Sequence, residues 1–184
     1  MFVHVDEWSK PLEREMAIEP EVQFAALVQR QSRFVFRVAY TVLRNAEDAE
    51  EAVQDTFFKL FRSGAWKDIR DERAFLASAV WRIAVDRRQS RKQQTIEPIE
   101  IQSLAPSPER TIMEAERERV IHQLIDSLPD KLRRPLLLFS TVEMTTVEIA
   151  ALLDLPEGTV RRQVNEARTL LKEKLARWEA RKHA

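Results

Sequence analysis

The sequence predicts an all-α protein made of two small helical domains joined by a flexible linker, the second containing a helix-turn-helix. Three observations carry that expectation. Glycine occurs only 2 times in 184 residues, a scarcity that favours helix over sheet. Apolar residues recur at three- and four-residue steps through most of the chain, which is the spacing of one helix face. Residues 93–111, QQTIEPIEIQSLAPSPERT, hold Pro98, Pro106 and Pro108 and keep no period, as a linker between domains does.

The elements follow in order. Residues 1–20 mix Pro11, Pro20 and acidic groups, and read as a loosely held arm. From Glu21, the residues Phe24, Leu27, Val28, Val35, Val38, Ala39 and Val42 share one face. Arg44-Asn45 breaks this helix, and Asn45 is placed to cap the next, with Asp48 three positions on. Ala49, Val53, Thr56, Phe57, Leu60 and Phe61 form the second stripe, and Gly64 suits a left-handed C-cap. Residues 65–73 read as a loop or short turn. A third helix runs from about Ala74 to Arg91, with Leu76, Ala79, Val80, Ile83 and Ala84 inward. The first domain is thus residues 21–92, and the second residues 112–184.

In the second domain Ile121, Leu124, Ile125 and Leu128 make one stripe. Pro129 fits a helix's first turn, where its missing N–H needs no partner. Leu132, Leu136 and Phe139 follow, while Pro135 is expected to kink that segment or delay its start. Thr145 and Glu148 have capping-box spacing. Val147, Ile149, Ala150 and Leu153 are expected to hold a short helix against the last one, whose buried side begins with Val160 and Val164.

Composition excludes several functions. There are 0 Cys, so no disulfide, thiolate zinc site or cysteine nucleophile exists. His4, His122 and His183 lack ligand spacing, so no metal is expected. The carboxylates within residues 48–55 have no histidine, cysteine or glycine-rich loop beside them to support catalysis. An enzyme, a cofactor and a small-molecule substrate are therefore not expected. No apolar run approaches the roughly 20 residues of a membrane span. The start MFVHVDEWSK lacks the pattern of a signal peptide, so a cytoplasmic protein is expected.

Net charge is +0, but the charge is segregated. Residues 66–92 carry 8 basic and 4 acidic groups, and residues 161–184 carry 8 and 3. The 93–128 stretch between them carries 3 and 7. Two DNA contacts held apart would produce this pattern, and so would ordinary solvated helices.

The segment TTVEIAALLDLPEGTVRRQVNEARTLLKEKL has the form of a helix-turn-helix, whose second helix enters the major groove. Its exposed early positions include Thr159, Arg161, Arg162, Gln163 and Asn165. Arginine can grip guanine bidentately, and Gln or Asn can grip adenine. Thr159 and the helix N-terminal amides suit a phosphate, and Arg168 and Lys172 suit backbone contact further along. Arg161 and Arg162 would look the same as solvent-facing residues of a bundle helix.

DAEEAVQDTFFKLF (residues 48–61), AFLASAVWRIAVDRRQSR in the third helix, and LPDKLRRPLLLFSTVEMTTVEIAALLDLPEGTVRRQVNEAR occur in that order. Together they resemble the extracytoplasmic-function (ECF) group of bacterial sigma factors in the sigma-70 family. Residues 21–92 resemble region 2 of that family and residues 115–178 resemble region 4. The resemblance implies binding to core RNA polymerase, through its β and β′ subunits, and recognition of promoter DNA. Core polymerase would be met by Asp48, Glu51, Gln54, Asp55, Phe57 and Phe58. The −10 element would be engaged by Trp66, Lys67, Arg70, Arg73, Phe75, Trp81, Arg82, Arg87, Arg88 and Arg91. The −35 element would be read by Thr145, Thr159, Arg161, Arg162, Gln163, Asn165, Arg168 and Lys172. An anti-sigma factor is a further partner that the family implies.

The chain departs from the family pattern at Phe75, where tryptophan is usual, and at Arg82, where asparagine is frequent. Asp154 replaces a common turn glycine, and Arg162-Gln163 a common serine-arginine pair. Trp66 and Trp81 fit packing as well as DNA, and Trp178 fits a terminal core anchor. Two other readings stay open on these residues: a stand-alone helix-turn-helix regulator with a helical dimerisation domain, and a helical adaptor that binds only protein.

Overall fold

The computed structural model describes residues 20–94 and 112–182, and every regular element among them is helical. The arm up to residue 19 and residues 95–111 of the expected linker lie outside the described residues. The first helical cluster contains α1 (Pro20–Leu43), α2 (Ala46–Ser63) and α3 (Glu72–Gln94), with a 3₁₀ turn at Ala65–Asp68. Each of its three helices packs on the other two. Val35, Val38 and Val42 of α1, Ala49, Ala52 and Leu60 of α2, and Leu76, Val80 and Ala84 of α3 fill the space between them. Alanine at three of these positions lets the helices approach closely.

Local chemistry sets the boundaries. Asn45 is extended and its side chain accepts from the Asp48 amide at 3.0 Å, so α2 starts there. Gly64 ends α2 in the left-handed region at φ 70°, donating to the Phe61 carbonyl. The stretch read as a loop at 65–73 is shorter than expected. Asp71 accepts from the Ala74 amide at 3.0 Å, which lets α3 begin at Glu72.

The second cluster contains α4 (Ile112–Asp126), α5 (Asp130–Ser140), α6 (Thr146–Leu153) and α7 (Glu157–Lys182). α4, α5 and α6 all pack on α7. Leu132, Leu136 and Leu138, with Ile149, Ala150, Val160, Val164 and Ala167, are buried between them. Pro129 stands at the N-cap of α5 rather than inside its first turn. Pro135 neither delays α5 nor ends it. The helix runs through it to Ser140 with the ring buried, so packing outweighs the lost hydrogen bond.

Thr145 and Glu148 close a full capping box. Asp154 takes the left-handed conformation at φ 53° and donates its amide to the Ala150 carbonyl, so the turn forms without glycine. Val147 is a correction to the expected contact between α6 and α7, since it is 63% exposed. At about 100° per residue, it lies roughly a third of a turn away from the Ile149–Ala150–Leu153 face.

The two clusters touch. α1 packs on α5, and α3 packs on α6.

Replacing Thr145 by Ala should cost about 1 kcal/mol, the usual worth of an N-cap side chain. Ile149→Ala, at a position fully shielded from solvent, should cost about 2–5 kcal/mol. Thermal melts followed by helical circular dichroism should rank the two in that order. Equal losses would count against the packing described.

Candidate nucleic-acid interface

α3 presents three faces with different chemistry. Arg87 and Arg91, one turn apart, point at α2. Arg87 holds Glu51 at 2.6 Å and Asp55 at 2.5 Å, and Arg91 pairs with Asp48. The hydrogen bonds that Arg87 donates to Asp55 and Glu51 raise its pKa above the ordinary value. Three of the acidic side chains expected to meet polymerase are thus partnered with two of the arginines expected to meet DNA.

Trp81, Val85 and Arg88, spaced i, i+4 and i+7, point at the second cluster instead. Arg88 reaches Asp130 at 2.8 Å and donates to the Val42 carbonyl at 3.2 Å. The Arg134 guanidinium lies 5.8 Å from the centre of the Trp81 ring. The third face carries Phe75 and Arg82, two turns apart, and both are exposed.

Near the start of α3 the remaining −10 candidates gather. Trp66 packs on Phe24 at 5.4 Å between ring centres, beside Phe57 and Phe61. It is half-buried, with Lys67 5.8 Å from its ring centre. Arg73 stacks over Phe34 at 4.1 Å, and Arg70 is exposed. On α2, Phe57 is buried and Phe58 is 60% exposed. Gln54 is exposed and lines a groove of about 450 Å³ with Arg33, Phe36, Glu50 and Val53.

In the helix-turn-helix, Arg161, Arg162, Asn165, Arg168 and Lys172 are exposed along α7. Arg168 also lies 4.8 Å from the centre of the Phe139 ring. Thr159 is half-buried and Thr145 is occupied by its capping box. Gln163 is placed differently from its neighbours. Its Oε1 is buried without a partner, in a cleft of about 510 Å³ lined also by Trp81, Val85, Leu153 and Leu155.

Sequence reasoning missed two sets of residues. Thr146 donates to Glu157 at 2.8 Å, and Arg161 holds the same carboxylate at 2.7 Å. These two hydrogen bonds keep the Glu157 carboxyl below its ordinary pKa. The trio joins the starts of α6 and α7. The second set is Arg44, Asp126, Asp130, Arg133 and Arg134, which meet between the clusters. Asp130 with Arg133 and Arg134 has ordinary helix spacing, but nothing local signals the pairs between clusters, because Arg44 and Asp126 are 82 positions apart.

The fold and its exposed surfaces define a DNA-binding protein of two helical clusters, the second a helix-turn-helix. Residues 27–94 match the family model "Sigma-70 region 2", and residues 118–171 match "Sigma-70, region 4". The chain is 32% identical to the ferric citrate uptake sigma factor FecI of Escherichia coli, over 68% of this chain and 75% of that one. It is 26% identical to the ECF RNA polymerase sigma factor SigW of Bacillus subtilis, over 83% and 88%. The fold also matches the sigma factor RpoE of Bartonella quintana, solved with the anti-sigma factor NepR, at a TM-score of 0.68 and 17% identity, covering 84% and 97%. The chain belongs to the ECF group of the sigma-70 family. As a sigma factor it acts by binding core RNA polymerase and recognising promoters, and not by catalysis. No helix among the described residues is long and apolar enough to cross a membrane.

Asp130 faces Arg88 from α3 and Arg133 and Arg134 from its own helix, with Arg44 and Asp126 beyond them. Burial pushes its carboxyl up, but the surrounding guanidiniums outweigh this and hold it below its ordinary value. Its folded pKa is therefore the lower one, so its stabilisation is present at neutral pH and is lost as pH falls through that value. Asp130→Asn should be less stable than wild type at pH 7, and the gap should close in acid. Urea unfolding across pH measures this, and a gap that widened in acid would contradict it.

Proposed function

We propose that the two clusters act as separate promoter-reading units, residues 21–92 on the −10 element and residues 112–184 on the −35 element, joined by residues 93–111. The observation that carries this reading is the exposed row Arg161, Arg162 and Asn165 at the start of α7, in the second helix of the helix-turn-helix. These side chains have the donors that base edges in a major groove require. Arg168 and Lys172 follow along the helix as phosphate contacts, and Thr159 lies near its N-terminus.

On the first cluster, Phe75 and Arg82 form the outward DNA face, with Lys67, Arg70 and Arg73 along the backbone path. Aromatic stacking and basic contacts of this kind offset the cost of unstacking a base. Gln54, Phe58 and the groove beside them are the surface offered to core polymerase, with Glu51 and Asp55 at its edge. Arg87 and Arg91 fix the acidic side chains of that edge. Work on core polymerase places the protein in the cytoplasm. An anti-sigma factor, the partner in the solved RpoE complex, is a fitting regulator.

The test is transcription from a promoter library by sigma-free core polymerase with the purified chain. Replacing both Arg161 and Arg162 by Ala should leave core binding intact and lower −35-dependent initiation roughly tenfold or more, since each bidentate base contact is worth about 1–3 kcal/mol of discrimination. Unchanged initiation would remove these residues from the reading surface. Lys172→Ala should instead weaken all promoters similarly and reduce the salt slope of binding.

A further inference from the structure

A groove of about 650 Å³ runs along the start of α1, from Pro20 to Arg30, and is closed on its other side by the turn that precedes α3. Its floor is apolar, made by buried Leu27 and half-buried Trp66 and Ile69. Val22 stands at its rim and is 56% exposed. The charge at the rim is uneven. Glu72 accepts from Arg30 and from Gln31, each at 2.9 Å, so Glu72 and Arg30 already neutralise one another. Lys67 lies 5.8 Å from the centre of the Trp66 ring and meets no carboxylate among the described residues. The groove therefore offers an apolar floor with one uncompensated positive charge beside it.

Residues 1–19, outside the described residues, carry the complementary chemistry. Phe2, Val3, Val5, Trp8, Leu12 and Ile18 are apolar, and Asp6, Glu7, Glu13, Glu15 and Glu19 outnumber Lys10 and Arg14. Pro20, the next residue, itself lines the groove. From Pro20 to Arg30 the groove is roughly 15 Å long at about 1.5 Å per helical residue. About five residues of extended chain cover that distance, so the segment is long enough to turn back and lie along all of it. A segment tethered at the groove's own edge has an effective concentration of roughly millimolar. A contact too weak to hold a free peptide is then enough.

We propose that residues 1–19 dock in this groove, with the Trp8 ring on the floor made by Leu27, Trp66 and Ile69, and with Asp6 and Glu7 against Lys67. Docking removes apolar surface of both partners from water, which is its main driving force. The docked segment also covers Trp66 and Lys67, which belong to the proposed −10 surface. The segment and a promoter strand then compete for one place. That consequence, unlike the docking itself, rests on the −10 reading above.

The chain has 0 Cys, so a single introduced thiol reports on its own surroundings. Ala26→Cys puts the thiol in the groove, and Ser32→Cys puts it in the separate groove beside Gln54 as a control. Both positions are half-buried. In the full chain a polar maleimide should label position 26 slowly. Adding Trp8→Ala should speed that labelling roughly tenfold, because a tryptophan anchor carries much of such a contact, and should leave position 32 and the circular dichroism spectrum unchanged. Asp6→Lys with Glu7→Lys should also speed it, and adding Lys67→Glu to that pair should slow it again. A single-stranded −10 oligonucleotide should bind the Trp8→Ala chain more tightly by about the factor seen in labelling, since the docked fraction no longer competes. Equal labelling of position 26 with and without Trp8→Ala overturns the docking. Protection that deepens with chain concentration puts the segment of a second copy in the groove and overturns docking within one chain. Protection that depends on Trp8, with oligonucleotide affinity unchanged, upholds the docking and removes Trp66 and Lys67 from the −10 surface.

Discussion

How the charges of α3 are divided decides which surfaces this protein has left to offer. The helix carries arginines on every side, but each side meets something different. Carboxylates of α2 neutralise Arg87 and Arg91, and Asp130 of the other cluster takes Arg88. The side bearing Phe75 and Arg82 faces outward. A count of basic residues therefore overstates the DNA-facing charge. The ligand sees the cations that the protein has not already used. The same pairing trims the acidic face of α2 and leaves Gln54 and Phe58 exposed outside those ion pairs.

In the helix-turn-helix, the residues proposed to read DNA are positioned by neighbouring groups of the protein. The capping box of Thr145 and Glu148 fixes the start of α6. Asp154, in a left-handed turn, fixes its end, and Ala150 allows α7 to lie close. Thr146 then ties α6 to Glu157 in the first turn of α7, and Glu157 holds Arg161. Arg161 is thus partly ordered before any DNA arrives, and less side-chain entropy is lost on binding. In the proposed role that order carries a cost, because the guanidinium face held by Glu157 is not offered to a base.

What could be read from the sequence divides along the distance between partners. Asn45, Gly64, Thr145 and Asp154 act through hydrogen bonds spanning a few residues, so their roles follow from local spacing. The apolar stripes were legible for the same reason, down to Val160 and Val164. Val147 misled because in an eight-residue helix one apolar residue off the stripe is hard to tell from one on it. Pro135 misled in the other direction, since local cost was judged without the packing that offsets it. The roles of Arg44, Arg87 and Arg88 were out of reach, because their partners lie 82, 32 and 42 positions away or more locally hidden on another helix face. Arg44 looked only like a helix break. Trp81 fitted packing and DNA equally well, and its place against Arg134 depends on the second cluster being docked.

The contact between the clusters differs in composition from the cores on either side. Within each cluster, buried Leu, Val, Ile and Ala contribute about 25 cal/mol for each Å² of apolar surface removed from water, and opening would forfeit all of it. Between the clusters, guanidinium and carboxylate groups meet beside buried apolar side chains that run on from one cluster to the other. The attraction of the charged groups is offset by desolvation when closed, and full hydration is recovered when open. The ion pairs fix which faces of the two clusters meet, since Arg44 must find Asp126 and Arg88 must find Asp130.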